Sequence, residues 1–172
     1  MDKIWWFAIH VVAILGQLAL GIVGVIEYTR YTTSADATTG YLSGQISFSE
    51  ETSNFSILIA PTVLGFVGTV FTLVIFVFLQ RADRASGQAA HFNRNATTLI
   101  GGILEVAFVI GDIAVAATLG THHGDPFVSS CAASAVAAAL LAFAVAFDLI
   151  KLYTLDRADA KQDREMYEFQ RV

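Results

Sequence analysis

Four runs of 21 to 23 residues, Ile4 to Ile26, Ile57 to Leu79, Leu99 to Leu119 and Phe127 to Phe147, are almost free of charge and make up about half of the 172-residue chain. A helix rises about 1.5 Å per residue, so about 20 residues cross the ~30 Å hydrocarbon core of a bilayer, and each run crosses once with little to spare. With 55% hydrophobic and 15% charged residues, the chain is too apolar for an ordinary water-soluble domain. Backbone groups in lipid must find their partners inside their own segment. The predicted fold class is therefore an all-α membrane protein, a bundle of four transmembrane helices.

The first run follows Lys3, as a secretory signal's apolar core would. Its 23 residues exceed the roughly 7 to 15 of such a core, and the exit through Glu27, Tyr28 and Arg30 offers no small-residue cleavage site. It reads as a retained span. The connections hold about 30, 19 and 7 residues, the last requiring a tight helical hairpin. Lys3, Arg81, Arg84, Arg94, Lys151, Arg157, Lys161, Arg164 and Arg171 fall on one side of the predicted membrane and Arg30 alone on the other. By the positive-inside rule both termini and the middle loop are cytoplasmic. The first loop and the turn from Thr121 to Asp125 are then outside. Trp5, Trp6, Tyr28 and Tyr153 stand at span ends, where interfacial aromatic anchors belong. Residues 1–155 form the transmembrane domain in this reading. Residues 156–172 form a charged cytoplasmic tail, read as a helix continuing span four, with Lys161 and Glu165, and Arg164 and Glu168, at helical spacing.

The first loop, rich in Thr, Ser, Gly and acids, reads as a polar connection in which Gln45 to Phe48 alternate as a short strand or hairpin would. Pro61 falls near the outer start of span two, where a missing N–H costs little. Cys131 is the only cysteine, so no intrachain disulfide forms.

Polar side chains at membrane depth carry most of the information. They are His10 and Gln17 in span one and Glu105 and Asp112 in span three. Each pair is seven residues apart, two turns of helix, and so shares one face. His10 and Glu105 are both six residues into their spans, and Gln17 and Asp112 both thirteen. The two pairs are level, which predicts spans one and three as neighbours, with His10 near Glu105 and Gln17 near Asp112. Such a set serves either as a proton or ion relay or as a buried network that fixes helix pairing. The second is preferred, because span two has no ionisable side chain and span four has only Asp148. That residue reads with Lys151 as an interfacial, partly solvated pair. Small residues, namely Gly21, Gly24, Gly65, Gly68, Gly101 and Gly102, with Ser130, Ser134, Ala138 and Ala142 in span four, predict close helix packing. His122, His123 and Asp125 read as a polar turn, since adjacent histidines supply too few ligands for a metal.

Four spans, inner termini, a short outer turn between spans three and four and an Ala-rich fourth helix resemble the MARVEL group of membrane proteins, including its fungal members and the Casparian-strip-like plant proteins. Asp112 is similar to the acidic residue that Casparian-strip-like proteins carry in span three. The Arg that they carry in span one is absent, its place taken at best by His10 or Gln17. The resemblance implies organisation of membrane microdomains, junctions or vesicle membranes without catalysis.

The leading expectation is a non-enzymatic organiser or scaffold of the plasma membrane or an endomembrane, acting through lateral helix association, with span four as the contact surface at Ser134 and Ala138. Its partners are membrane lipids and other membrane proteins or further copies of itself. The runner-up is an accessory subunit of a larger membrane enzyme, channel or transporter. A third reading is a proton- or ion-conducting element using His10, Glu105 and Asp112. The sequence offers no catalytic constellation, metal or cofactor motif, or nucleic-acid surface.

Overall fold

The computed structural model describes the backbone of residues 3–39, 48–84, 88–122 and 125–169, and the side chains of residues 4–33, 57–81, 95–122 and 127–154. Four helices fill it: α1 (Lys3–Thr39), α2 (Phe48–Arg84), α3 (Gln88–Gly120) and α4 (Asp125–Phe169). Each holds a stretch long and apolar enough to cross a membrane, over Ile4–Thr33, Ile57–Arg81, Asn95–Gly120 and Phe127–Thr154. The chain is a multi-pass, all-α membrane protein with a four-helix bundle.

The helices outrun the apolar runs. The connection between spans one and two, expected as a polar loop, is mostly helix: α1 continues to Thr39 and α2 begins at Phe48. Gln45 to Ser47 lie outside the described residues. Helix growth is easy once a nucleus exists, and no Gly or Pro interrupts the chain from Ile26 until Gly40. Thr29, Thr32 and Thr33 turn their hydroxyls back onto carbonyls three or four residues earlier, which satisfies these groups inside the helix. The early start of α2 also moves Pro61 from the expected first turn into the helix interior, where it is buried. The α3–α4 connection is the expected tight hairpin. Thr121 and His122 donate their backbone N–H groups to the carbonyls of Thr118 (3.2 Å) and Leu119 (3.1 Å).

In the bundle α1 packs on α2 and α4, and α3 on the same two, so among the described residues α1 and α3 face each other across the diagonal without backbone approach. Spans one and three are thus opposite rather than adjacent, as antiparallel up-down connections with short turns require. At one end Trp6 packs with Ile75, Phe76 and Leu79, and Phe147 joins them. At the other, Leu58, Leu119 and Phe127 close the interior with Tyr28 and Tyr31 against them. Ala13, Leu141 and Ala144 fill the middle.

The tightest crossing is α1 on α2. A Cβ at Gly65 would collide with the backbone of Gly21, and one at Gly24 would lie 2.7 Å from the Thr62 nitrogen. Gly68 accommodates the Gln17 carboxamide, and Gly101 sits against Ile75. In lipid, helices gain little by burying apolar surface on each other, so such close van der Waals approach replaces the hydrophobic drive.

Candidate functional site

Polar residues collect inside the bundle while its described outer surface in the spans is overwhelmingly apolar. His10, Gln17, Thr72, Glu105, Asp112, Ser130, Ser134 and Asp148 are all buried, whereas Ile, Leu, Val and Phe side chains of every helix point outward. This is a soluble protein's pattern inverted, the arrangement that a lipid solvent selects.

At the Trp6 end, α1 and α4 are locked together by Asp148. The Trp6 indole Nε1 donates to Asp148 Oδ1 at 2.7 Å, and His10 Nε2 lies 3.0 Å from Asp148 Oδ2. His10 Nδ1 donates to the Trp6 carbonyl at 2.9 Å, since that oxygen can only accept. Lys151 rests its ammonium 4.6 Å from the centre of the Trp6 ring, and Phe76 stacks on that ring at 5.3 Å. Asp148 is therefore no half-solvated interfacial group, being 4% exposed, and Trp6 is a core residue rather than a surface anchor. Trp5, 66% exposed, and Tyr153 do point outward. Sequence position misled here because a single turn of helix carries both Trp5 and Trp6, one facing out and the other in.

Two turns deeper, Gln17 Nε2 donates to Asp112 Oδ2 at 2.6 Å, a bond spanning the diagonal from α1 to α3. The level spacing thus brings Gln17 and Asp112 together. It does not join His10 to Glu105 by a hydrogen bond: the closer carboxylate for His10 is Asp148, and Glu105, 1% exposed, has neither oxygen bonded. Gln17 Oε1, Asp112 Oδ1, Thr72 Oγ1, Ser130 Oγ and Ser134 Oγ also lack partners. Nearer the opposite end, Glu27 is buried and takes a 3.1 Å bond from Arg30. Thr72, Asp148 and Glu27 are the buried polar residues that sequence reasoning missed. The signal available for Asp148 was its distance of one helical repeat of seven from Leu141 on the buried face of α4.

Helix α4 has a second face. Ser134 and Ala138, expected to meet a partner, point with Ser130 into their own bundle and are buried with Ala137, Leu141, Ala144 and Val145. Their small size serves the fit of α4 against its neighbours, and Cys131 adds a bond to the Ala116 carbonyl of α3 at 3.2 Å. The outward face carries Ala132, Ala135, Ala139, Ala142 and Ala146, all exposed, in an unbroken spacing of three and four. Exposed Val136, Phe143 and Ile150 stand beside them at intervals of seven. In the outer turn the His122 ring stacks on Phe127 at 5.1 Å and approaches the Thr118 carbonyl at 3.0 Å. His123 lies outside the described residues, and among the described ones no three His, Cys, Asp or Glu side chains group as metal ligands.

Compared with protein-family models, with curated proteins and with solved structures, the chain matches none.

Proposed function

We propose that the protein is a non-enzymatic membrane organiser, whose copies associate laterally through the outward face of α4. The observation that carries this reading is the alanine seam at 132, 135, 139, 142 and 146, exposed along its whole length. Spacing of three and four repeats every seven residues, the period at which two helices keep one seam in contact over many turns. Alanine at each step permits the close approach that drives association in lipid. The Val136, Phe143 and Ile150 row forms a ridge beside this groove. In a two-fold pair the ridge of one copy enters the groove of the other, so a single surface is self-complementary. The exposed residues of α2, such as Val63, Phe66, Val70, Phe71, Val74 and Phe78, offer no comparable smooth seam and suit lipid chains.

The polar interior supports the same reading from inside. Bonds from Trp6 and His10 to Asp148 and from Gln17 to Asp112 tie α1 to α4 and α3, giving a rigid unit that displays its outer faces. The basic-residue asymmetry orients that unit with both termini and the α2–α3 connection in the cytoplasm. There α4 continues as helix to Phe169. Four spans with this topology and an Ala-rich fourth helix agree with the MARVEL-like reading, in which such proteins organise membrane domains.

Native-size analysis in mild detergent tests the proposal. Wild type runs as a dimer or larger, and Ala139→Phe runs as a monomer of unchanged helical content. Wild type at monomer size refutes self-association. Copurification in fixed ratio with a different membrane protein, lost in Ala139→Phe, makes the chain an accessory subunit that uses the same seam.

A further inference from the structure

Among the buried carboxyl groups described in the bundle, one is not explained by the packing. Glu105 is 1% exposed on α3, and neither of its carboxyl oxygens has a hydrogen-bond partner. Every other buried carboxylate described in the bundle accepts at least one bond: Asp112 from Gln17, Asp148 from Trp6, and Glu27 from Arg30. A structural acid would share that treatment, because an unpaired ionised carboxylate in so dry a place is among the costliest groups a fold can hold.

The groups facing Glu105 can be named helix by helix. The ionisable groups around it are His10 on α1 and Asp148 on α4, which are bonded to each other. The one ionisable side chain described on α2 is Arg81, which is exposed and nine residues beyond Thr72. Ile75 lies against Gly101 and Leu64 against Gly111, an antiparallel register that sets buried Thr72 level with Glu105, its hydroxyl also unpartnered. On α3 itself the nearest acid is Asp112, two turns away and held by Gln17.

Hydrogen accounting then fixes the charge around it. His10 Nδ1 must carry a hydrogen, because its partner is the Trp6 carbonyl. The 3.0 Å contact between His10 Nε2 and Asp148 Oδ2 holds one more. Whether that proton resides on nitrogen or oxygen, the pair is neutral as a whole and supplies no counter-charge to Glu105. Glu105 and Thr72 alone offer too few oxygens for a sodium or divalent ion, which needs about six or more.

We propose that Glu105 is a proton-binding site of the bundle, loaded through the Asp148–His10 pair from the end at which Trp6 and Lys151 lie. The transfer is conservative. His10 gives the single proton of its contact with Asp148 from Nε2 to a Glu105 oxygen, which leaves Asp148 anionic beside a neutral imidazole; Asp148 then takes a proton from the aqueous end and the neutral pair is restored, with no other covalent bond changed. The opposite end is shut by Leu58, Leu119 and Phe127, so the route stops inside the bundle and loads a site instead of conducting across the membrane. Loading and unloading change the charge at the meeting point of α1, α3 and α4, which makes their packing responsive to pH on that one side.

Infrared difference spectroscopy on the full chain reconstituted in lipid tests this directly. Wild type minus Glu105→Gln, an isosteric change, shows the carbonyl stretch of a protonated carboxyl at mildly acidic pH. The band gives way to carboxylate as pH rises, with the protonated-to-ionised ratio changing about tenfold per pH unit, as for a single site. After transfer to deuterated buffer the band shifts promptly in wild type. His10→Phe, checked for unchanged size and helical content, slows that exchange by roughly a hundredfold, the scale of a lost proton-transfer group. A difference spectrum with carboxylate alone at every pH overturns the proposal. So does a band that sodium chloride abolishes when choline chloride does not, which assigns the site to a cation, or an exchange rate that His10→Phe leaves unchanged.

Discussion

The crossing of α1 over α2 permits a sharp test, because it rests on a single missing atom. A Cβ at Gly65 would lie 2.6 Å from Gly21 Cα and 2.8 Å from the Gln17 carbonyl oxygen. Both are backbone atoms that cannot rotate away, so relief requires the helices to separate by about 1 Å, to the ~3.6 Å of ordinary carbon contact. A gap of that size forfeits roughly a quarter to a half of each contact's well depth along the crossing. Gly65→Ala should therefore destabilise the bundle by about 1–3 kcal/mol, the usual cost of overpacking. Gly102 supplies the control, since a Cβ there meets nothing within 4 Å. Gly102→Ala should be neutral or slightly stabilising, because Ala favours helix over Gly by up to ~1 kcal/mol. Cys131, the only cysteine and held on the α3–α4 contact by its bond to Ala116, serves as reporter. A maleimide dye that fluoresces on reacting with it reads thermal unfolding in detergent without further labelling. Equal midpoints for wild type and Gly65→Ala, or a loss in Gly102→Ala of the same size, would refute the packing argument.

Other consequences follow from the polar interior and the two faces of α4. Asp148→Leu strands the Trp6 indole N–H and a His10 nitrogen and should cost about 1–3 kcal/mol, read by the same unfolding assay together with a changed emission from Trp6. Gln17→Leu removes the donor of Asp112 and should cost about 1 kcal/mol, the scale of intramembrane polar contacts; Asp112→Asn, which can still accept from Gln17, should be better tolerated. Ser134→Leu forces bulk into the monomer and should lower its unfolding midpoint, whereas Ala139→Leu should leave the midpoint alone and weaken only assembly, as native size shows. In a Cys131→Ala background, single cysteines at Ser43 and His122 should label with an impermeant reagent in intact cells and one at Arg84 should not; labelling at Arg84 reverses the orientation.

How far the sequence disclosed this arrangement depends on what kind of signal each residue carries. Span number and helical class follow from length and apolarity, which the bilayer reads without reference to tertiary contacts, and those were legible. The pairing of Gln17 with Asp112 was legible too, because depth counted from the span starts survives whichever helices are adjacent. The partner of His10 was not. Deciding between Glu105 and Asp148 requires the rotation of α4 and the diagonal placement of α1 and α3, and neither leaves a mark in one-dimensional spacing. The same ignorance of rotation put Ser134 and Ala138 on the outside: in a helix so rich in alanine, small residues occupy both faces, and only the packed bundle distinguishes the row that fits inward from the seam that faces lipid. Helix ends were misjudged for a different reason, since the Thr-rich continuation of α1 lacks apolar periodicity yet contains nothing to stop a helix already formed.

The central claim, association through the alanine face of α4, is tested most directly by disulfide trapping in native membranes. Single cysteines are placed in a Cys131→Ala chain at Ala132, Ala135, Ala139, Ala142 and Ala146, and for comparison at Val70 and Ile100, which are exposed on α2 and α3. A disulfide forms only where two Cα atoms approach to about 4.4–6.8 Å. Mild oxidation should give covalent dimers at the seam positions, strongest at Ala139 and Ala142, and none at Val70 or Ile100. Dimers formed equally at all sites, or at none of the seam positions, would contradict the account.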